Sequence, residues 1–404
     1  MSIKLDTFGR SVYHQVIMSD FDMELIEEIQ QEQRKTDLGV PREVLSKKQP
    51  LKLERDLVLA IQGVRRCGKS TLLRQIAQTQ GIEDQSLFII FEDPRLGPKL
   101  DHTTLDALVQ FHVRRSPANT FFFFDEIQNV TGWEKWLHVQ LEAKKYHFVI
   151  TGSNSTLLSG KLGSSLTGRH VSLELFPFNF SEYLKLKPGS SFEDFLTSGG
   201  FPRALSYSNP GELLRTYFSD IIERDVRRNI SARSGLKLMQ IAKAVFESTG
   251  SEISLRKLAQ AFDSTADTIG TYVDAFESAY LCLSVPYFSY SEKKTRGRAR
   301  KYYPIDLGLR GAVTAQTGLD LGKKLETYVY LRLRSEGVRV AYWRGKREVD
   351  FVIETPAGIQ PIKVTWGSAQ PRHEEALAEF RKEYPRSLAP RFINANDAIH
   401  SFTT

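Results

Sequence analysis

The residues Gly63-Val64-Arg65-Arg66-Cys67-Gly68-Lys69-Ser70-Thr71 have the types and spacing of a loop that binds phosphate. Gly63 and Gly68 permit backbone angles that let the loop wrap phosphate oxygens with its own N–H groups. A helix opening at Lys69 would add the partial positive charge of its N-terminus. Lys69 then reaches the β- and γ-phosphates, Ser70 ligates Mg²⁺, and Thr71 bonds nearer the α-phosphate. A second group stands in Phe121-Phe122-Phe123-Phe124-Asp125-Glu126-Ile127-Gln128. Four apolar residues drive a strand through a core, and Asp125 emerges at its end to hold the Mg²⁺ shell. Glu126, the next residue, is a candidate base for the attacking water, which points to hydrolysis rather than passive binding. In the third group, Ile150 to Ser155, Ser153 or Asn154 can touch the γ-phosphate or orient the water. Arg169 is the fourth candidate, an arginine supplied to the γ-phosphate of a neighbouring subunit.

Such groups need a scaffold that brings strand ends together. Apolar runs at 57–61, 87–91, 121–124 and 147–151 read as strands buried on both faces. Helical stretches at 69–79, 104–114 and 134–144 separate them. This alternation predicts an α/β fold, a parallel sheet with ligands at the carboxyl ends of its strands. Residues 1–50 read as an arm with an amphipathic helix at 22–34, in which Leu25, Ile26 and Ile29 are apolar. The P-loop domain is expected at 51–185 and a helical lid at 186–235. A winged helix at 236–303 and a further α/β domain at 304–404 complete the chain.

The chain has 404 residues, 41% of them hydrophobic and 25% charged, enough for two or three cores. No apolar run reaches the ~20 residues of a membrane helix. The first residues lack the apolar core and cleavage site of a signal peptide, and only two cysteines occur, without ligand spacing. A cytoplasmic location is expected, with no zinc or disulfide framework. The net charge of +7 is compatible with nucleic acid but discriminates little until it is located.

Two segments locate charge. Helices at 255–262 and 265–281 form a helix-turn-helix, whose second helix buries Ile269, Val273, Phe276 and Tyr280. Its other face offers Asp267, Thr268, Thr271 and Asp274, a poor match to DNA phosphates. The run 292–301, EKKTRGRARK, is the opposite. Read as a hairpin wing, it projects Lys293, Lys294, Arg296, Arg298, Arg300 and Lys301 to phosphates without reading sequence.

With these residues assembled, the chain resembles a bacterial and archaeal family of AAA-type ATPases. Its members join a P-loop domain, a winged helix and a C-terminal PD-(D/E)XK nuclease-like domain. The resemblance runs from about residue 55 through GVRRCGKSTLL, DEIQNVTGWE, ITGSNSTLL, LTGRHVSLELFPFNFSEYL, GGFPRAL and REVDFVIE. It implies Lys69, Ser70 and Thr71 on ATP and Mg²⁺, Asp125 and Glu126 at metal and water, Ser153 and Asn154 as sensor, and Arg169 as finger. Active members of the nuclease-like fold hold Mg²⁺ with an Asp on one strand and a Glu-x-Lys on the next. Here Lys363 stands where that carboxylate belongs and Thr365 where the lysine belongs. Glu326, Glu348 and Asp350 remain, so a degenerate site that does not cut DNA is expected. The function expected is ATP hydrolysis coupled to work on DNA in a homo-oligomer, and the alternative is a nucleotide-gated switch acting on a protein.

Overall fold

The computed structural model describes residues 23–46, 51–116, 120–158, 166, 168–227, 230, 232, 234–315 and 320–400. They divide into two compact units, one from Met1–Gln62 and Lys69–Leu173, the other from Gly63–Gly68 and Glu174–Thr404.

In the first unit, runs with no polar face become strands, because only a two-sided cover removes them from water. These are β1 (Val58–Gln62), β2 (Ser86–Ile90), β3 (Phe121–Asp125) and β4 (His147–Gly152), and a half-exposed strand, β5 (His170–Glu174), completes the set. They form one sheet in the order β2-β3-β4-β1-β5. The β2–β3, β3–β4 and β4–β1 pairings are parallel, and the register sets Gln62 opposite Gly152 and Ile90 opposite Asp125. The ends of these four strands are therefore level to within a residue. Helices Lys69–Gln80, His102–Arg115 and Trp133–Ala143 cross between strands, so every expected element is present with its ends displaced by a residue or two. Phe122 stacks on Phe148, and Trp136 meets Phe148 edge-on, with Trp136 Nε1 donating to Asp106 at 2.7 Å.

The arm has a definite task. Helix Met23–Lys35 buries Ile26 and Ile29 against this core. Its Gln30 accepts the Phe88 N–H at 3.1 Å and donates to the Phe88 carbonyl. Since β2 is an edge strand, one side-chain amide covers the backbone groups that would otherwise invite another strand. Asp22, where the expected helix begins, lies outside the described residues.

In the second unit, short helices Phe180–Leu186, Phe192–Ser198, Pro202–Leu205 and Pro210–Asp220 lead into a π-helical segment, Ile221–Arg227. Between two of them, Gly199 and Gly200 form a turn that no side chain fits. A Cβ on Gly200 would stand 2.1 Å from the Phe178 carbonyl oxygen, and one on Gly199, at φ +72°, 2.2 Å from Asp306. Buried Asp306 accepts from the N–H groups of Gly200 (2.6 Å) and Leu309 (2.7 Å), capping helix Leu307–Val313.

Helix Gly235–Glu247 precedes the expected helix pair, which occurs as Leu255–Ala261 and Ala266–Ser278. Strands β6 (Glu252–Ile253), β7 (Cys282–Val285) and β8 (Arg300–Pro304) form an antiparallel sheet in the order β6-β8-β7. The basic run between β7 and β8 is not the expected hairpin. Ser291 caps a short helix, Glu292–Gly297, and only the last residues of the run enter β8. The four-stranded sheet β12-β11-β10-β9 follows, built from Val340–Arg344 (β9), Glu348–Thr355 (β10), Gly358–Val364 (β11) and Arg391–Ile393 (β12). Helices Leu321–Ser335 and Pro371–Glu383 accompany it. No described helix is long and apolar enough to cross a membrane.

Candidate functional site

The first unit gathers its candidates where β3 and β4 end. Ser70 donates to Asp125 Oδ2 at 2.5 Å, and Thr151 donates to Asp125 Oδ1. Lys69 Nζ lies 3.3 Å from Glu126 Oε1, and both side chains are nine-tenths buried or more. The other oxygen of Glu126 accepts from Gln128 Nε2 at 2.5 Å and from the Ser153 N–H at 3.2 Å. Each carboxylate is thus held on both oxygens. Burial, and after it the Glu126 charge, pushes the Asp125 carboxyl above its ordinary range, while the Ser70 and Thr151 hydroxyls and Lys69 oppose this.

Glu126 adopts a left-handed backbone, φ 54° and ψ 47°. A residue with a Cβ is rarely found there, and the strain of about 1–3 kcal/mol persists only where neighbours fix it. Here the Thr151 hydroxyl accepts the Glu126 N–H at 3.0 Å, and the Asn129 side chain donates to the Glu126 carbonyl at 3.0 Å. Gly152, at the end of β4, leaves room for the Leu157 and Gln128 side chains. A Cβ would meet Leu157 at 2.9 Å and the Gln128 amide oxygen at 3.0 Å.

Residues Gly63–Gly68 pack with the second unit. A Cβ on Gly63 would stand 2.2 Å from the Leu175 carbonyl oxygen, and Arg66 and Gly68 have φ of 71° and 103°. Such alternation of hand turns successive N–H groups toward one concavity, which fits an anion. Val64 and Cys67 are buried, with the Cys67 N–H donating to the Val64 carbonyl at 3.3 Å. Arg65 makes a two-pronged pair with Asp225 of the π-helical segment, at 3.0 and 3.1 Å. The Arg66 guanidinium lies 5.9 Å from the Tyr217 ring centre.

The remaining candidates are distributed differently. Thr71 is half-buried in the first turn of its helix, and Asn154 accepts the Leu157 N–H at 3.2 Å. Arg169 bonds to Glu142, and its carbonyl accepts the Val58 N–H at 2.9 Å. Val58 begins β1, whereas Lys69 follows the other end. Arg169 thus meets β1 at the end opposite the one that leads on to Lys69. In the basic run, Lys293, Lys294 and Arg296 are exposed. Arg298 lies over the Tyr287 ring at 5.0 Å, and Arg300 reaches Ser284 at 3.3 Å and Glu277 at 3.8 Å. Lys301 corrects the expectation of a phosphate contact, because its side chain is entirely buried. The second helix of the pair exposes Asp267, Thr271 and Asp274, as expected. Lys363 Nζ lies 2.7 Å from Asp350 Oδ1, and Thr365 belongs to the backbone ladder, donating to Ile393.

Sequence reasoning gave no role to Thr151 and Gln128, the two residues that fix the carboxylates. The signals were a hydroxyl inside an otherwise apolar strand and an amide two residues beyond Glu126.

The donor set fits Mg·ATP. It offers a buried cation and two hard oxygen donors already in contact at Ser70 and Asp125.

The sequence matches an AAA domain over residues 55–184, a domain of unknown function (DUF8612) over 189–320 and another (DUF4143) over 321–402. It is 29% identical over 356 residues to an uncharacterized protein of Haemophilus influenzae, spanning 82% of this chain and 88% of that one. It is 31% identical over 347 residues to an uncharacterized protein of Methanocaldococcus jannaschii, spanning 78% of this chain and 76% of that one. Among solved structures it is similar to Aeropyrum pernix ORC1 in complex with DNA, at 11% identity and a TM-score of 0.28, over 67% of this chain and 87% of that one. It is also similar to C. elegans PCH-2, at 11% identity and a TM-score of 0.23, over 63% and 66%. Those two scores are too low to bear on function. The chain belongs to the same family as the M. jannaschii protein, and its residues 55–184 are an AAA domain.

Proposed function

We propose that this protein is an ATPase that couples hydrolysis of Mg·ATP to conformational work on DNA. The observation that carries the catalytic part is the buried Lys69–Glu126 pair beside the Ser70–Asp125 contact, at the ends of adjacent parallel strands. Lys69 meets the charge of the β- and γ-phosphates, and the loop's N–H groups wrap the same oxygens. Bound Mg²⁺, held by Ser70 and Asp125, supplies charge neutralisation at the phosphates. Glu126, oriented by Gln128 and the Ser153 N–H, accepts a proton from the attacking water. Ser153 and Asn154, just past the end of β4, report the γ-phosphate in this reading. Arg169 serves a neighbouring subunit of a homo-oligomer, which accords with its place at the far end of β1. Mixing Arg169→Ala with Lys69→Ala chains should then restore part of the activity that each lacks.

The experiment is a pair of variants followed by nucleotide binding and phosphate release. Lys69→Ala should lose ATP affinity. Glu126→Gln should keep it and hydrolyse poorly, by roughly 10²–10⁴-fold. Near-normal turnover in Glu126→Gln would remove Glu126 as the base.

Support for DNA comes from exposed Lys293, Lys294 and Arg296, within the piece we read as a winged helix. The acidic face of helix Ala266–Ser278 favours a second reading, a nucleotide-gated switch on a protein partner. ATPase rates with and without DNA separate the two. We read residues 304–404 as a nuclease-like domain whose site is degenerate.

A further inference from the structure

Three carboxylates of the second unit converge in a way that ordinarily calls for a cation. Oxygens of Glu326, on helix Leu321–Ser335, and of Glu348 and Asp350, on β10, lie within 4.8 Å of one another. Like charges so close, and largely removed from water, repel strongly unless something positive stands among them.

That charge comes from outside the four-stranded sheet. Lys301, its side chain wholly buried, donates to Glu348 Oε1 and lies 3.6 Å from Glu326 Oε1, with the Tyr342 ring centre at 5.2 Å. Two residues along the same strand face, the Tyr303 hydroxyl donates to Glu326 Oε1 at 2.6 Å. Asp350 is met from its own sheet. Lys363 donates to its Oδ1 at 2.7 Å and to the Glu348 carbonyl at 3.0 Å, and the Val364 N–H donates to its Oδ2 at 2.7 Å.

The ammonium is also rigidly delivered. Lys301 sits on the central strand of its sheet, opposite Glu252 of β6 and Val285 of β7. A long side chain on a strand paired along both edges has little freedom to leave.

We propose that Lys301 is the resident cation of this cluster: its ammonium takes the place a divalent ion would occupy, closing the carboxylates to metal. Oxygen ligands that a hard ion requires are already spent on Lys301, Tyr303, Lys363 and a backbone amide. The cluster then acts as a pin between β8 and β10.

The test uses the full chain, stripped of metal and without nucleotide, with Mn²⁺ alone as the probe. Electron paramagnetic resonance counts bound ion, and thermal melts in EDTA and in Mn²⁺ report stability. Wild type should bind no Mn²⁺ that Asp350→Asn removes, and should melt alike in both buffers. Lys301→Ala should melt lower in EDTA, regain stability in Mn²⁺, and bind about one additional ion that Lys301→Ala/Asp350→Asn lacks. Stoichiometric Mn²⁺ at the cluster in wild type overturns the proposal, as does a folded Lys301→Ala chain that gains no site. If Lys301→Ala does not fold, Lys301→Met and Lys301→Met/Glu348→Gln decide. Removing both charges should restore much of what Lys301→Met loses, and a double variant no better than the single one overturns the pin.

Discussion

At the scale of single residues, the proposed nucleotide site depends on groups that perform no chemistry. Thr151 gives its proton to Asp125 and accepts one from the Glu126 backbone, so one hydroxyl sets both carboxylates and sustains the left-handed turn. Thr151→Val keeps volume and branching but leaves the buried Glu126 N–H without that acceptor. Turnover should fall roughly 10–100-fold, as for the outer partners of other charged sites, with a smaller change in ATP affinity. Steady-state kinetics alongside nucleotide binding checks this, and an unchanged turnover would remove Thr151 from the machinery. Lys69, Ser70, Asp125 and Glu126 were legible in the sequence because their spacing and the apolar strand before Asp125 leave few other arrangements. Thr151 was not, since a hydroxyl in a strand shows its worth only once β3 and β4 are paired. Lys301 was misread for a related reason. In a run of basic residues, strand register alone decides that Arg300 faces water and Lys301 the interior.

Elements carry a different kind of constraint. The helices and strands of the first unit were legible because runs such as Phe121–Phe124 can satisfy burial in only one way. The π-helical segment and the Gly199–Gly200 turn were not, for both depend on partners far along the chain, Arg65 and Asp306. Asp306→Ala would strand the Gly200 and Leu309 N–H groups in the core, a loss of about 2–4 kcal/mol, measurable by urea unfolding. Burial raises the Asp306 carboxyl from 3.8 to about 6, although backbone N–H groups oppose the shift. Between those values the folded chain holds a proton that the unfolded chain has released. The contribution of this group to stability is therefore full at low pH and falls as pH rises toward 6. Asp306→Asn, which cannot titrate, should lack that component, so wild type should lose about 1–3 kcal/mol relative to it across the window. A pH-independent difference between the two proteins would show that Asp306 stays ionised throughout.

For the molecule as a whole, the net charge of +7 matters only where it is exposed and uncommitted to the fold. Of the basic run, Lys293, Lys294, Arg296, Arg298 and Arg300 are all exposed, though Arg296 pairs with Glu292 and Arg298 and Arg300 touch Tyr287 and Glu277, and Lys301 is internal. DNA affinity should weaken steeply with salt, and alanine at Lys293, Lys294 and Arg296 should make the log–log slope shallower by up to about three units. The loss should be alike for all sequences, with DNA-free ATPase activity unchanged. Fluorescence anisotropy over a salt series reads both quantities. No binding at low ionic strength would leave the protein-partner reading in place.

The pairing of Lys69 with Glu126 has one more consequence, and it concerns timing. In the function we propose, the lysine that would meet incoming phosphate is the same one that pairs with the carboxylate meant for water. If the proposed roles hold, an unloaded chain idles with its base engaged, and drawing the lysine toward phosphate would release it. Arrival of fuel and readiness to burn it would then become a single event.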